Sequence, residues 1–431
     1  MDTQPLALVT PYLVPSPPPQ PAWSLGKRIA FRFVFVYSLL YSFPFPLGYL
    51  PLLAKLDDRY DSLLHRLIPW LGKHALHISR AISGVSTGSG DKTYNYVLFV
   101  FWLLLATLAT IVWSILDRRR RRYDLGWTLL VLFTRYVLIA AMVNYGISKV
   151  LDLQFQPPQA GRLSETYGES SPMGLLWTFM GASVPYTMFA GFAELVGAAL
   201  LAFRRTTLLG ALVLIGVMGN VVVLNFCYDV PVKLYASHLW LMALFLTLPD
   251  RARLYDFFVR QRAVAPRPVA TPFVGRRLSL ARRIVKPLLI VGIVWQAGYS
   301  RWDRVKAKSM NGPQGAMNGA WHVVSATSDG KPLKWRRVVT NNRTLGVIDD
   351  GDSDYYKLVD DGAKKTLTLT SYDRPKEAAS VVTYARSGEH GTLDGQLGGK
   401  AIHVELEHID TSKSLLMTRG FHWINETPFN R

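Results

Sequence analysis

The chain has 431 residues, nearly half of them hydrophobic, with a single cysteine, Cys227. That length allows more than one domain, and one cysteine excludes an intramolecular disulfide, a CxxC redox pair and a cysteine-rich metal site. The formal net charge is +19, but the segment after Ser300 carries 19 Lys/Arg against 16 Asp/Glu; the excess therefore lies between hydrophobic stretches, where topology and anionic lipid account for it and nucleic acid is not read as a partner.

Residues 1–30 read as a flexible tail, Pro-rich at Ser16-Pro17-Pro18-Pro19 and without the basic start of a cleavable signal. Uncharged runs then recur at a length that suits a bilayer, which needs about 20 apolar residues in a helix. Seven spans are predicted. The first, Phe33 to Ala54, is interrupted by Pro44, Pro46 and Pro51 and must kink or break. Tyr60 to Arg80 spaces Leu64, Ile68 and Leu71 helically among His65, Arg66 and Lys73, as an amphipathic helix on the membrane surface would. Gly88-Ser89-Gly90-Asp91 reads as a turn. The second span is Val97 to Leu116, and the third, Leu125 to Ser148, contains Arg135 and Asn144.

Pro172 to Phe203 is too long for one straight span and is split at Pro185, which leaves a spanning helix that contains Glu194. Thr206 to Phe226, Leu234 to Leu248 with His238, and Ile284 to Ser300 complete the seven. Cys227, between Phe226 and Tyr228, reads as a buried free thiol. The stretch 251–283 is a basic cytoplasmic loop. With the N-terminus inside, the inner segments hold 18 Lys/Arg against nine in the outer loops. That bias predicts a cytoplasmic N-terminus and an extracytoplasmic C-terminal domain.

Residues 301–431 form that soluble domain. Short segments rich in Val, Thr, Tyr and Leu alternate with turn clusters at Ser328-Asp329-Gly330, Asp350-Gly351-Asp352, Asp361-Gly362 and Asp394-Gly395. Examples of these segments run from Trp321–Thr327 to Ser414–Thr418, and they predict an antiparallel meander that closes into a barrel or sandwich. The fold class is thus a multi-span α-helical membrane bundle of about seven transmembrane helices followed by an all-β domain. The aromatic C-terminal tail after Arg419 is expected to pack across the barrel.

Polar groups inside spans are the candidates for function, because hydrocarbon penalises them by a few kcal/mol each. They are Arg135, Asn144, Lys149, Glu194, Asn225, Asp229 and His238, with Asn220 in company. Glu194, halfway along its span, needs a partner, and Arg135 is the obvious candidate; the pair reads either as a proton- or quinone-handling site or as a structural tie that sets helix register. No metal site is read: His403 and His408 are five apart on one strand and so face opposite sides.

On the third span Arg135 is followed by Gly146-Ile147-Ser148-Lys149, and on the fourth stands Ala193-Glu194-Leu195-Val196-Gly197. These resemble the arginine, the Gly-x-x-Lys helix end and the glutamate-glycine signature of the DoxX family of four-helix membrane proteins. The likeness covers residues 125–250, with residues 31–124 and 284–300 supplying the other spans. It implies a four-helix core, matched positions at Arg135, Lys149 and Glu194, and kinship with a quinone-linked thiosulfate oxidoreductase subunit and assorted membrane accessory proteins. Quinone is the one cofactor it brings in. Asn318-Gly319-Ala320-Trp321 and the later Arg419 are similar to lipocalin-like barrels, which implies that Trp321 packs under Arg419 to close the barrel floor.

The preferred functional reading is a membrane accessory or partner-binding module with an extracytoplasmic β-domain and no catalysis of its own. The alternatives are a quinone-linked oxidoreductase subunit, or a protein that binds or moves a lipophilic small molecule. Its partners are then the lipid bilayer, a protein at the β-domain or that small molecule.

Overall fold

The structure, a computed structural model, describes residues 21–46, 54–266, 276–309, 315–349, 353–374, 377–420 and 422–423. Most of the N-terminal tail, Pro51, the turn at Asp350-Gly351-Asp352 and most of the C-terminal tail lie outside the described residues. The chain divides into two compact units, Met1–Val85 with Thr93–Thr134, and Ser86–Lys92 with Arg135–Arg431.

In the first unit, α1 (Leu25–Ser42) opens on Ser24, whose hydroxyl accepts from the Lys27 amide at 3.3 Å. It stops at Ser42, short of the span predicted to run to Ala54. Phe43 is extended (φ −62°, ψ 137°) because the ring of Pro44 disfavours helical backbone before it. The amphipathic pattern becomes α2 (Ala54–His74), which ends six residues before the predicted Arg80. Its buried Leu64 and Ile68 pack with Tyr94, Val97 and Trp102 of α3 (Thr93–Leu116), while Leu63 and Trp70 are exposed. So α2 covers a helix with the stripe that suggested a membrane surface. The helix α4 (Asp124–Val150) begins here and continues into the second unit.

In the second unit come α5 (Ala160–Leu163), α6 (Pro172–Ala182), α7 (Val184–Ala202), α8 (Thr207–Cys227), α9 (Lys233–Thr247), α10 (Arg251–Phe258) and α11 (Arg276–Ser309). The break between α6 and α7 falls at Ser183, not Pro185. The Ser183 hydroxyl caps α7 by accepting from the Tyr186 amide, and Pro185 sits in the first turn, where its missing N–H costs nothing. The turn at Gly88–Asp91 has a task of its own: both Asp91 carboxylate oxygens accept from the amides of Lys233 and Leu234, at 2.7 and 3.0 Å, and so cap α9.

Among the described residues four helices are long and apolar enough to cross a membrane: Thr93–Leu116, Asp124–Val150, Val184–Ala202 and Thr207–Cys227. Seven spans are not supported. At 15 residues α9 reaches about 22 Å against a hydrocarbon core of about 30 Å. The helix α11 runs for 34 residues, twice the predicted span, and carries arginines and lysines at both ends. In α1, Lys27, Arg28 and Arg32 interrupt the apolar run.

The C-terminal part of the second unit is a closed antiparallel barrel of eight strands: β1 (Gly319–Ser328), β3 (Arg337–Thr340), β4 (Thr344–Ile348), β5 (Ser353–Asp361), β6 (Thr366–Ser371), β7 (Ser380–Ser387), β8 (His390–Leu397) and β9 (Lys400–Ile409). The two residues of β2 (Lys331–Pro332) only extend β1. Closure is by β1 against β9, from Ala320↔Ile409 to Ser328↔Ile402, with a bulge between Val323 and Ser325. Every second residue of β9 from Ile402 to Leu406 points inward, as period-two alternation requires. The interior is filled by Trp321, Val338, Leu367, Val382 and Val404, all fully buried, and their neighbours.

Strands β4 and β8 were not predicted, and Ser414–Thr418 is not a strand: Leu415–Thr418 is a helical turn, α12. Asp394-Gly395 lies within β8 rather than at a turn. The reversal comes three residues on, at Gly398 and Gly399, whose φ angles of 59° and 77° are those a two-residue hairpin needs at both positions.

Candidate functional site

The site is built where α4 and α7 touch. A Cβ on Gly146 would lie 2.9 Å from the Gly191 carbonyl, and one on Gly191 would lie 2.8 Å from the Gly146 carbonyl. Only glycine lets two helix backbones come this close. Lys149, three residues after Gly146, and Glu194, three after Gly191, then share one contact. The Lys149 Nζ donates to Glu194 Oε1 at 2.7 Å, with both side chains buried.

This corrects the expected Arg135–Glu194 pair. Arg135 and Lys149 are 14 residues apart on one helix, about 21 Å along its axis. Arg135 donates instead to the Thr207 hydroxyl at 3.4 Å and lies over the Tyr136 ring. Its remoteness follows from the antiparallel run of α4 and α7, which puts Leu195 beside Gly146 and carries the end of α7 toward Arg135.

Lys149 and Glu194 line a cavity of about 290 Å³ among α4, α6, α7, α8 and α9. That is at the lower edge of the range for ligand pockets, roughly 300–1,000 Å³. Its walls are mainly apolar, with Phe155, Leu176, Trp177, Met180, Met218 and Leu239 prominent, and its polar groups include Tyr145, Gln154, Asn220 and Asn225. Two of its lining residues carry an idle acceptor. Glu194 Oε2 and Gln154 Oε1 are both buried, and neither is hydrogen-bonded among the described residues. A buried acceptor without a donor costs about 1–3 kcal/mol, more if charged. The cavity therefore offers hydrogen-bond acceptance next to a carboxylate whose charge Lys149 already balances. What fits is a neutral, mainly apolar molecule with a hydroxyl or N–H group.

The other predicted positions lie elsewhere or serve structure. The Asn225 amide donates to the Val232 carbonyl at 3.5 Å and ties the α8–α9 turn at the cavity wall. Asp229 pairs with Lys233 at 2.7 Å on the surface, and His238 Nδ1 meets the Leu234 carbonyl at 2.7 Å outside the cavity lining. Asn144 accepts from Arg301, whose guanidinium also reaches the Asn144 carbonyl at 2.8 Å and the Ser148 hydroxyl at 2.6 Å. Arg301 thus fastens α11 to α4, a role with no sequence signal beyond its place at a span end. Cys227, expected to be buried, is exposed at the last residue of α8.

In the barrel, Trp321 is fully buried and its indole donates to the Met317 carbonyl at 2.8 Å. The cation over its ring is Arg386 of β7, 5.0 Å from the centroid, and not Arg419. Arg419 follows the last strand as the C-cap of α12, whereas Arg386 stands on a strand and also donates to the Ala316 carbonyl just ahead of β1. Arg337 of β3 is buried against the α5 segment, where it donates to the Ser164 carbonyl and, at 2.6 Å, to Glu169; Arg336 reaches the same carboxylate at 3.1 Å.

The chain is 34% identical over 127 residues to the uncharacterized protein YwoB of Bacillus subtilis (strain 168), a match that takes in 29% of this chain and 79% of that one. The chain belongs to that protein's family. No family model matches the sequence, and no solved structure matches it.

Proposed function

We propose that this chain binds a small neutral lipophilic molecule within its helical region, by a hydrogen-bond donor on the ligand's head group. One observation carries the reading: Glu194 lines an apolar cavity and has a buried oxygen with no donor among the described residues, while Lys149 occupies the other oxygen. Two of the three positions of DoxX-like character, Lys149 and Glu194, line this cavity, which supports an accessory protein of that kind. A quinol is one member of the ligand class, since a ring hydroxyl would supply the donor that Glu194 lacks. On this reading the barrel, whose interior is packed with its own side chains, is not the receiving site.

The test is binding of an alkyl-naphthol and of its methyl ether to the full chain in lipid nanodiscs, followed by energy transfer from tryptophan. The naphthol is expected to bind at least about tenfold tighter than the ether, a difference of about 1.4 kcal/mol, and Glu194→Gln should erase that preference. Equal affinity for the two compounds would sink the proposal.

A further inference from the structure

The shape of the cavity says how its ligand arrives. Its closed side faces the helix connections: Phe155, ahead of α5, and Val230, between α8 and α9, are both buried, at 7% and 3% exposure, and pack with Leu176 and Met180. Its other side is framed by residues that line it and yet are exposed: Phe179 at 57%, Tyr186 at 44% and Phe189 at 67%, with Asn220 exposed opposite them on α8. Lining and exposure together mean that the cavity reaches the protein surface there.

The packing of α7 on α8 explains the opening. A Cβ on Gly210 would lie 2.8 Å from the Leu201 amide nitrogen and 3.0 Å from the Gly197 carbonyl, so the two helices touch near the end of α7 and the start of α8. Toward Phe189 and Asn220 the space between them is cavity. Both are among the four helices apolar enough to span a bilayer. Their exposed sides therefore meet lipid, and the Asn220 side chain makes no hydrogen bond among the described residues. An unsatisfied amide in hydrocarbon costs a few kcal/mol and is relieved by any hydroxyl that stops beside it.

The size of the cavity points the same way. About 290 Å³ holds a ring-sized head but not a long chain, so a lipophilic ligand must leave its tail outside. From this side the tail stays in the bilayer.

We infer that the ligand is drawn from the bilayer and enters sideways between α7 and α8, past Phe179, Tyr186 and Phe189, with Asn220 taking its hydroxyl on the way to Glu194. This rests on the ligand-binding reading of the cavity. Tyr186 and Phe189 follow each other on α7 with ring centroids 6.3 Å apart, and Phe179 meets Tyr186 edge-on at 5.4 Å, which makes a flat-sided aromatic rim. Such a rim guides a ring compound without holding it.

The experiment follows association and dissociation of the alkyl-naphthol in nanodiscs for the wild type, Phe189→Ala, Asn220→Leu and Met173→Ala, the last at a residue that packs on the closed side without lining the cavity. Phe189→Ala trims an exposed rim residue and should raise both rates several-fold with little change in affinity. Asn220→Leu should slow association by about tenfold, as removal of a hydrogen-bonding step on the path does. Met173→Ala should leave both rates unchanged. If preference for naphthol over ether persists but the rates respond to Met173→Ala and ignore the two rim variants, the side entrance is overturned and the binding site stands. If the wild type shows no such preference, the site itself falls and the entrance with it.

Discussion

Arg32 in the first unit and Glu194 in the second are equally hidden, at 1% and 2% exposure, but they are served very differently. The guanidinium of Arg32 donates to the Tyr123 hydroxyl at 2.7 and 3.0 Å, to Ser114 at 2.8 Å and to the Asp117 carbonyl at 3.0 Å, with the Tyr123 ring beside it. Each of its three nitrogens has a partner. Glu194, which lines a cavity, has one partner, Lys149, and an idle oxygen. A buried charge that is fully satisfied holds a fold together; one left half-satisfied beside empty space keeps a place for something else. The barrel interior belongs with Arg32: it is filled, and its Trp321 N–H is used.

The largest expected effect comes from removing one member of the buried pair. Lys149→Met leaves the Glu194 charge uncompensated and should cost about 3–5 kcal/mol, read as a lower unfolding temperature in detergent. The double variant Lys149→Met with Glu194→Met should recover much of that loss, since no charge then remains buried. A double variant as unstable as the single one would show that packing, not charge, fixes α4 to α7. Arg32→Met comes next, at about 1.5–3 kcal/mol for hydrogen bonds to a charged group. It should leave naphthol binding unchanged, and a loss of binding would blur the line drawn between the two buried charges.

Smaller effects are expected at the surface of the barrel. The Glu169 carboxyl is held below the usual carboxylate range by hydrogen bonds from the Thr166 amide and hydroxyl, and then by the charges of Arg337 and Arg336. A lowered value means that its contribution is complete above the ordinary carboxylate range and is lost as pH falls through the lowered one. Amide protection in residues 160–171, taken relative to intrinsic exchange at each pH, should therefore be high at neutral pH and fall in acid, and Glu169→Gln should lower it at neutral pH. The smallest effect is at His403 on β9, whose imidazole is raised by its hydrogen bond to Asp394, by that carboxylate's charge and by Glu405. Its stabilising share is present below the ordinary imidazole range and fades as pH rises through the raised value. Titration of His403 by NMR should show the shift, and Asp394→Asn should remove most of it.

Much of this was legible in the residues. Thr93–Leu116 and Thr207–Cys227 are helices where uncharged runs stood, and the alternation in Ile402–His408 predicted a strand with His403 and His408 on opposite faces; His403 is exposed and the His408 ring lies 4.9 Å from that of Trp321. Lys149 and Glu194 were singled out because charge in an apolar run needs a reason. Their pairing was not legible, since proximity to Glu194 depends on which turn of α4 meets α7. The strand His390–Leu397 was hidden by its glycines, which read as turns until neighbours on both sides supply the hydrogen bonds. The cavity aromatics were invisible for a plainer reason: Phe and Tyr in a membrane helix look the same whether they face lipid, core or empty space.

By itself the sequence determined most of the helices and strands, that several helices suit a membrane, and that a handful of polar groups must be accommodated among them. These follow from local periodicity and from the cost of charge in hydrocarbon, both of which act within a few residues. Only the tertiary structure decided that Lys149 and not Arg135 meets Glu194, that Arg386 and not Arg419 covers Trp321, and that a cavity remains beside Glu194. Each of those depends on how close two backbones come, and at Gly146, Gly191 and Gly210 that distance is set by the absence of a side chain, whose effect appears only when the second helix is in place.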